Sequence, residues 1–201
     1  MAKNYSKTIA NSVGTFLKED NWRHDFDEEN GIFNTSIQLG CKIKTVRYII
    51  DIRQNDYIVY VYSPIGPNSN DKEAMLRAAE FLTRANYSLV LGNFEIDMRD
   101  GEIRYKVCVL CDGDTLSQRV IRRSMYVPAV MLERYGNGLL NVLYSDISPK
   151  KAYEQCENNP NGADTDEPQA ADDEQQNEDD DSTEAILAKL TARLASIADG
   201  E

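Results

Sequence analysis

In ANYSLVLGNFEIDMRDGEIRYKV, residues 85–107, the apolar alternation changes phase halfway along. Tyr87, Leu89 and Leu91 keep one beat and Phe94, Ile96 and Met98 the other, with the slip on Gly92-Asn93. Side chains alternate faces along a strand with period two, so a three-residue step turns one set outward unless an extra residue is absorbed. Gly92 and Asn93 are therefore expected to form a β-bulge, which bends and twists a strand and lets a sheet curl around helices. Burial of both faces, or two short strands meeting at a bend, gives the same pattern. The RDG at 99–101 is a hairpin turn needing a positive φ at Gly101, so strands are expected at 87–98 and 102–111.

Upstream, Asn70 with Glu73 fits a capping box, and Ala74, Met75, Ala78, Ala79, Leu82 and Ala85 form one helix face. Asn86 suits a left-handed C-terminal residue. Before that helix, strands are expected at 32–39, 43–52 and 57–63. The last two, containing TVRYIIDI and YIVYVY, are dense in β-branched and aromatic residues. Trp22, His24 and Phe26 alternate with charged residues as in a short half-exposed strand, and Asn30-Gly31 signals a hairpin. Tyr5, Ile9, Val13, Phe16 and Leu17 recur at helical spacing over 4–18. Downstream, Ser117 caps a helix to about 134 with Val120, Ile121, Met125 and Leu132 inward. A kink is expected at Pro128, a break at YGNG (135–138), and a last short helix from Ser148-Pro149 to Cys156. Antiparallel strands grouped with helices on one face make an α+β plan: a curved antiparallel sheet with helices packed on it.

Charge divides the chain. Residues 1–156 carry 20 Lys+Arg and 20 Asp+Glu, whereas residues 157–201 carry 2 against 14, so the net charge of −12 resides in the last 45 residues. A neutral body with an acidic appendage has no electrostatic attraction for nucleic acid. The start, MAKNYSKTIANSV, lacks the apolar core of a signal peptide, and no run approaches the roughly 18 apolar residues of a membrane span, so a cytoplasmic protein is expected. The four cysteines, at 41, 108, 111 and 156, are then expected as free thiols.

The run SPIGPNSNDKEAMLRAAEFLTRANYSLVLGNFEIDMRDGEIRYKV resembles the central block of the YbjN family, bacterial proteins described as sensory transduction regulators. The shared pattern is a proline-containing loop, a helix ending in Ala85-Asn86, then LGNFEID, DG and IRYKV. ERYGNGLLNVLYSDISPKKAYEQ is similar to the family's closing helices, including the SP start and Ala152, so the likeness spans about residues 45–156. It implies a fold like the small chaperones of type III secretion, commonly a homodimer. Gly136-Asn137 stands where that pattern has a proline after the tyrosine, Pro128 interrupts the preceding helix, and the acidic tail is extra.

Chemistry-bearing residues are sparse. CVLC (108–111) has C-x-x-C spacing, but three residues along a strand put Cys108 and Cys111 on opposite faces, with Cys111 beside Ile103, Tyr105, Val107 and Val109. His24 is the only histidine and reads as a rim residue. Glu95 and Asp97 share a strand face and are expected to pair across to Arg104 or Lys106. Arg119, Arg122 and Arg123 form a solvated helix flank that the acidic tail can screen. No phosphate loop, dinucleotide fingerprint or nucleophile elbow occurs. No catalytic, cofactor or metal residue is assigned.

The tail divides in two. Residues 157–182 are too polar and charged to bury a core and are expected as a disordered linker reaching on the order of 30 Å. In 183–198, Ile186, Leu187, Leu190, Leu194 and Ile197 fall on one face of an amphipathic helix, with Lys189 and Arg193 elsewhere. So short a helix is marginal alone, and its stripe needs a partner: a client, a second copy, or the body itself; a merely solubilising end is the remaining role. Together these features imply a 1–156 domain acting as a non-enzymatic protein-binding, regulatory or chaperone-like module with a tethered docking helix. The alternative is a small-ligand sensor with a pocket between sheet and helices lined by Tyr60, Tyr62, Tyr105 and Phe94.

Overall fold

The protein is described by a computed structural model over residues 3–111 and 116–158. Ser6 opens helix α1 (Lys7–Glu19) by accepting the Ile9 N–H at 3.3 Å, and Ile9, Ala10, Val13, Phe16 and Leu17 form its buried stripe. A four-strand meander follows: β1 (His24–Asp27), β2 (Ile32–Gln38), β3 (Thr45–Ile52) and β4 (Asp56–Tyr62). Helix α2 (Lys72–Asn86) starts at Asp71, one residue later than expected, because the Asp71 carboxylate accepts the Ala74 N–H at 2.9 Å. Phe81 joins its buried face while Ala79 sits half-exposed. Strands β5 (Asn93–Ile96) and β6 (Ile103–Leu110) are joined by the expected turn, with Gly101 at φ +83. Helices α3 (Gln118–Tyr144) and α4 (Pro149–Asn158) complete the body. The six strands pair antiparallel in the order β1-β2-β3-β4-β6-β5, so the curved sheet and helices of an α+β fold are as expected.

The opening stretch behaves differently from the expectation. β5 pairs with β6 residue for residue from Asn93↔Lys106 to Ile96↔Ile103, so no extra residue is absorbed at Gly92-Asn93 and residues 87–92 are not strand. The cause lies at Asn86, which is helical and not left-handed. Its carboxamide accepts the Phe94 N–H at 2.7 Å and donates to the Phe94 carbonyl at 2.9 Å. Six residues in extended form would span about 20 Å, whereas this clamp holds the end of α2 against β5, so the segment between must loop. Leu89 and Leu91 pack against the core, Tyr87 and Val90 face water, and Gly92 at φ +80 turns the chain into β5.

Helix α3 is also longer than expected, running 27 residues through Pro128 and through YGNG. Pro128 removes one backbone donor. Next to it, the Tyr48 hydroxyl donates to the Met125 carbonyl at 2.9 Å, a contact from the sheet to the helix one turn before the proline. Gly136 and Gly138 mark close approaches, not a break. A Cβ on Gly138 would lie 2.5 Å from Cys156 Sγ and 2.8 Å from Phe81 Cζ, and one on Gly136 would lie 2.6 Å from Ile43 Cδ1. Val120, expected inward, is exposed; the buried stripe starts at Ile121 and includes Ser124, whose hydroxyl meets Tyr57 at 2.8 Å.

All four helices lie on one side of the sheet. Gly14 of α1 faces Phe33, Tyr135 of α3 meets Phe94 edge-on at 5.8 Å, α2 packs on β5, and α4 packs on α2 and α3. Glu157 and Asn158, expected to open the acidic linker at 157–182, instead end α4. Glu157 accepts from the Tyr135 hydroxyl at 2.6 Å and from Arg134 at 3.0 Å. The remainder of that linker and the helix expected at 183–198 lie outside the described residues.

Candidate functional site

In a two-layer fold only one sheet face is covered by helices, and burial separates the faces cleanly here. Along β2, β3, β4 and β6 every residue facing the helices is buried, including Phe33, Tyr48, Val59 and Tyr105. On the opposite face of those strands only Ile58 is buried. That face mixes aromatic and aliphatic side chains with charged and polar ones. The register sets them in rows across the sheet: Ser36, Arg47, Tyr62, Arg104, Glu95; then Asn34, Ile49, Tyr60, Lys106, Asn93; then Ile32, Asp51, Ile58, Cys108. Leu110, 74% exposed, continues the apolar end opposite Asp56.

The first two rows form a stacked polar–aromatic layer. The Arg47 guanidinium lies 4.6 Å above the Tyr62 ring and that of Arg104 lies 4.4 Å above Tyr60, while the two tyrosine rings stand 6.4 Å apart. Arg104 Nε donates to Glu95 at 2.8 Å and Lys106 Nζ at 3.1 Å, so Glu95 pairs across the hairpin as expected. Burial acts to raise the Glu95 carboxyl, and the hydrogen bonds from Arg104 and Lys106 outweigh it, holding the group below its ordinary range. Asp97 pairs instead with Arg99 inside the turn, which holds its carboxyl at about 2. The third row is barer. Asp56 Oδ1 is buried without a hydrogen bond among the described residues, and Arg53 Nε stands 3.7 Å away.

The other candidates are dispersed. Cys108 is exposed on the open face and Cys111 buried under the helices, as strand geometry requires. Burial pushes the Cys41 thiol up and the Cys156 thiol up to about 11, which keeps both protonated. His24 Nδ1 lies 2.8 Å from the Trp22 carbonyl oxygen and its ring packs at 5.6 Å from Phe33. The arginine flank divides: Arg122 turns to Asp20 at 2.6 Å, and Asp20 also accepts from the Tyr126 hydroxyl at 2.8 Å. Among the described residues no three of His, Cys, Asp and Glu are grouped to hold a metal ion, and no helix is long and apolar enough to cross a membrane.

The four aromatic residues expected to line a ligand pocket lie on opposite faces: Tyr60 and Tyr62 outside, Phe94 and Tyr105 packed edge-on at 4.8 Å inside. A cleft of about 460 Å³ lies elsewhere, where Asp71 and Ala74 of α2, Asp100 and Tyr144 meet the 66–69 loop. Sequence reading missed the open face, although the signal was present. YIVYVY (57–62) is apolar on both parities, the pattern of a strand buried on both sides, yet the described residues cover one side only. No family model matches the chain, and no curated protein matches it.

Proposed function

We propose that the protein is a non-enzymatic protein-binding module, regulatory or chaperone-like, that works through the helix-free face of its sheet. The observation that carries this reading is the surface made by exposed Leu110 and half-buried Ile32, Ile49, Tyr60 and Tyr62, the tyrosines covered by Arg104 and Arg47, on strands whose other face is fully packed. Tyrosine and arginine are the residues that protein interfaces and their hot spots favour. A rigid sheet supports it, so binding needs little reordering of the backbone. Thiols held apart or buried, and a lone imidazole set against a phenyl ring, suit binding better than turnover.

The same reading makes the protein a cytoplasmic homodimer related to the YbjN regulators. Four free thiols suit a reducing compartment. The LGNFEID and IRYKV blocks that carry the resemblance form the β5–β6 edge of this face. The test is capture of partners on the wild-type chain and on a chain carrying Ile49→Asp and Tyr60→Asp, both on the open face and outside the packed core. A protein retained by the wild type and lost from the variant supports the proposal. A partner retained equally by both refutes it.

A further inference from the structure

The five apolar residues Ile186, Leu187, Leu190, Leu194 and Ile197 need a surface, and the sheet offers one that no described residue covers. We propose that residues 183–198 of the same chain occupy the helix-free face in cis, so that a partner must displace them. This rests on reading that face as a protein-binding surface, and adds its regulation.

Three observations select this occupant. First, the departure point is fixed. The described chain ends at Asn158, after Glu157 is held by Tyr135 and Arg134, on a helix that packs on α2, which packs on β5. Tyr135, which holds Glu157, meets Phe94 of β5 at 5.8 Å, so the described chain ends on the β5 side of the fold. Second, the reach is sufficient. A chain of the length of residues 159–182 would reach roughly 25–30 Å even at random-coil dimensions, and packed layers are separated by only about 10 Å, so the path around β5 to the far face is within that length.

Third, the charges match. Residues 159–182 are acidic with no lysine or arginine, and the rows reached on rounding β5 carry Arg104, Lys106 and Arg47 against Glu95. Beyond them Asp51 is already paired with Lys3 and Arg53, and Asp56 stands 3.7 Å from Arg53, so the uncompensated charge of the face is the positive one on the rows nearest β5.

The face carries its own reporter. Cys108 is the one exposed cysteine among the described residues, in the same row as Ile58, whereas Cys41, Cys111 and Cys156 are buried. The experiment measures the rate at which N-ethylmaleimide modifies Cys108 in the full chain, read by mass spectrometry, with the buried thiols as internal references. The wild type is compared with a Leu190→Asp, Leu194→Asp chain. Tethering supplies an effective concentration of about 1 mM, so even a docking constant of about 100 μM leaves the face roughly nine-tenths covered and slows modification about tenfold.

The expected result is that slowing, unchanged on dilution and abolished in the variant. Equal rates in the two chains overturn the proposal. Protection that fades on dilution also overturns it, since the occupant is then the tail of a second copy. If Cys108 is unprotected while Ile49→Asp, Tyr60→Asp still abolishes partner capture, the binding surface stands and only the cis cover falls. If that double substitution also leaves capture unchanged, both readings fall.

Discussion

Replacing Gly138 by alanine tests the packing of α3 through the sign of its effect. In a helix interior, glycine to alanine ordinarily stabilises by about 0.5–1 kcal/mol, because alanine has the better helix propensity and restricts the unfolded chain. At Gly138 the added Cβ would lie 2.5 Å from Cys156 Sγ, 2.8 Å from Phe81 Cζ and 3.0 Å from Phe81 Cε2. Each neighbour is confined. Phe81 is fully buried with its ring edge-on to Tyr135 at 6.3 Å, and Cys156 anchors α4. Overpacking of this kind costs about 1–3 kcal/mol, which outweighs the propensity gain. The net expectation is a loss of about 1–2 kcal/mol, or a urea midpoint lower by roughly 0.5–1 M. Trp22, the only tryptophan, reports the transition, since it is buried edge-on to Tyr48 at 5.2 Å and Tyr126 at 5.5 Å. Adding Cys156→Ala removes the sulfur and should restore part of the loss, so the two substitutions are non-additive. A Gly138→Ala chain as stable as the wild type, or more stable, would refute the claim that the glycine is there for close approach.

Two further expectations follow from polar groups within the fold, one half-buried and the others buried. Asn86→Ala removes both hydrogen bonds to the Phe94 backbone and should cost about 1–3 kcal/mol, with faster amide hydrogen exchange at Phe94 than at Tyr105; unchanged exchange at Phe94 would contradict the clamp. Burial raises the phenols of Tyr48, Tyr57, Tyr105, Tyr126 and Tyr135, with Tyr126 pushed up to about 12. A group whose pKa is raised on folding gives stability that is complete below its unfolded value and lost as pH climbs through the folded one. Urea midpoints should therefore begin to fall near pH 9, where the unfolded thiols of Cys41 and Cys156 ionise, and fall steeply from about pH 10 upward as the unfolded phenols do. A midpoint holding steady to pH 12 would contradict it.

Where one local rule controls the backbone, the sequence was legible. Ser117 and Ser148 cap their helices, Gly101 makes its turn, and the strand period separates Cys108 from Cys111. The misreadings came from contacts between residues distant in the chain. Asn86 prefers a strand backbone to its own helix end, so residues 87–92 loop although their alternation reads as strand. Gly136 and Gly138 look like a break until Ile43, Phe81 and Cys156 are brought against them. Val120 looks like core because it is apolar, yet Ile121 and Ser124 set the helix's rotation by meeting the sheet. The open face was partly legible in the unbroken apolar run of β4, but which side the helices leave bare is decided only when α1 to α4 assemble.

The proposed working surface is the bare face of the sheet. A photo-cross-linking amino acid placed at Tyr60, on that face, and in a second chain at Tyr144, exposed at the end of α3, tests it directly. Adducts mapped by mass spectrometry should come from position 60, to partner peptides or to residues 183–198, and be sparse from position 144. Adducts arising from position 144 with none from position 60 would contradict the claim.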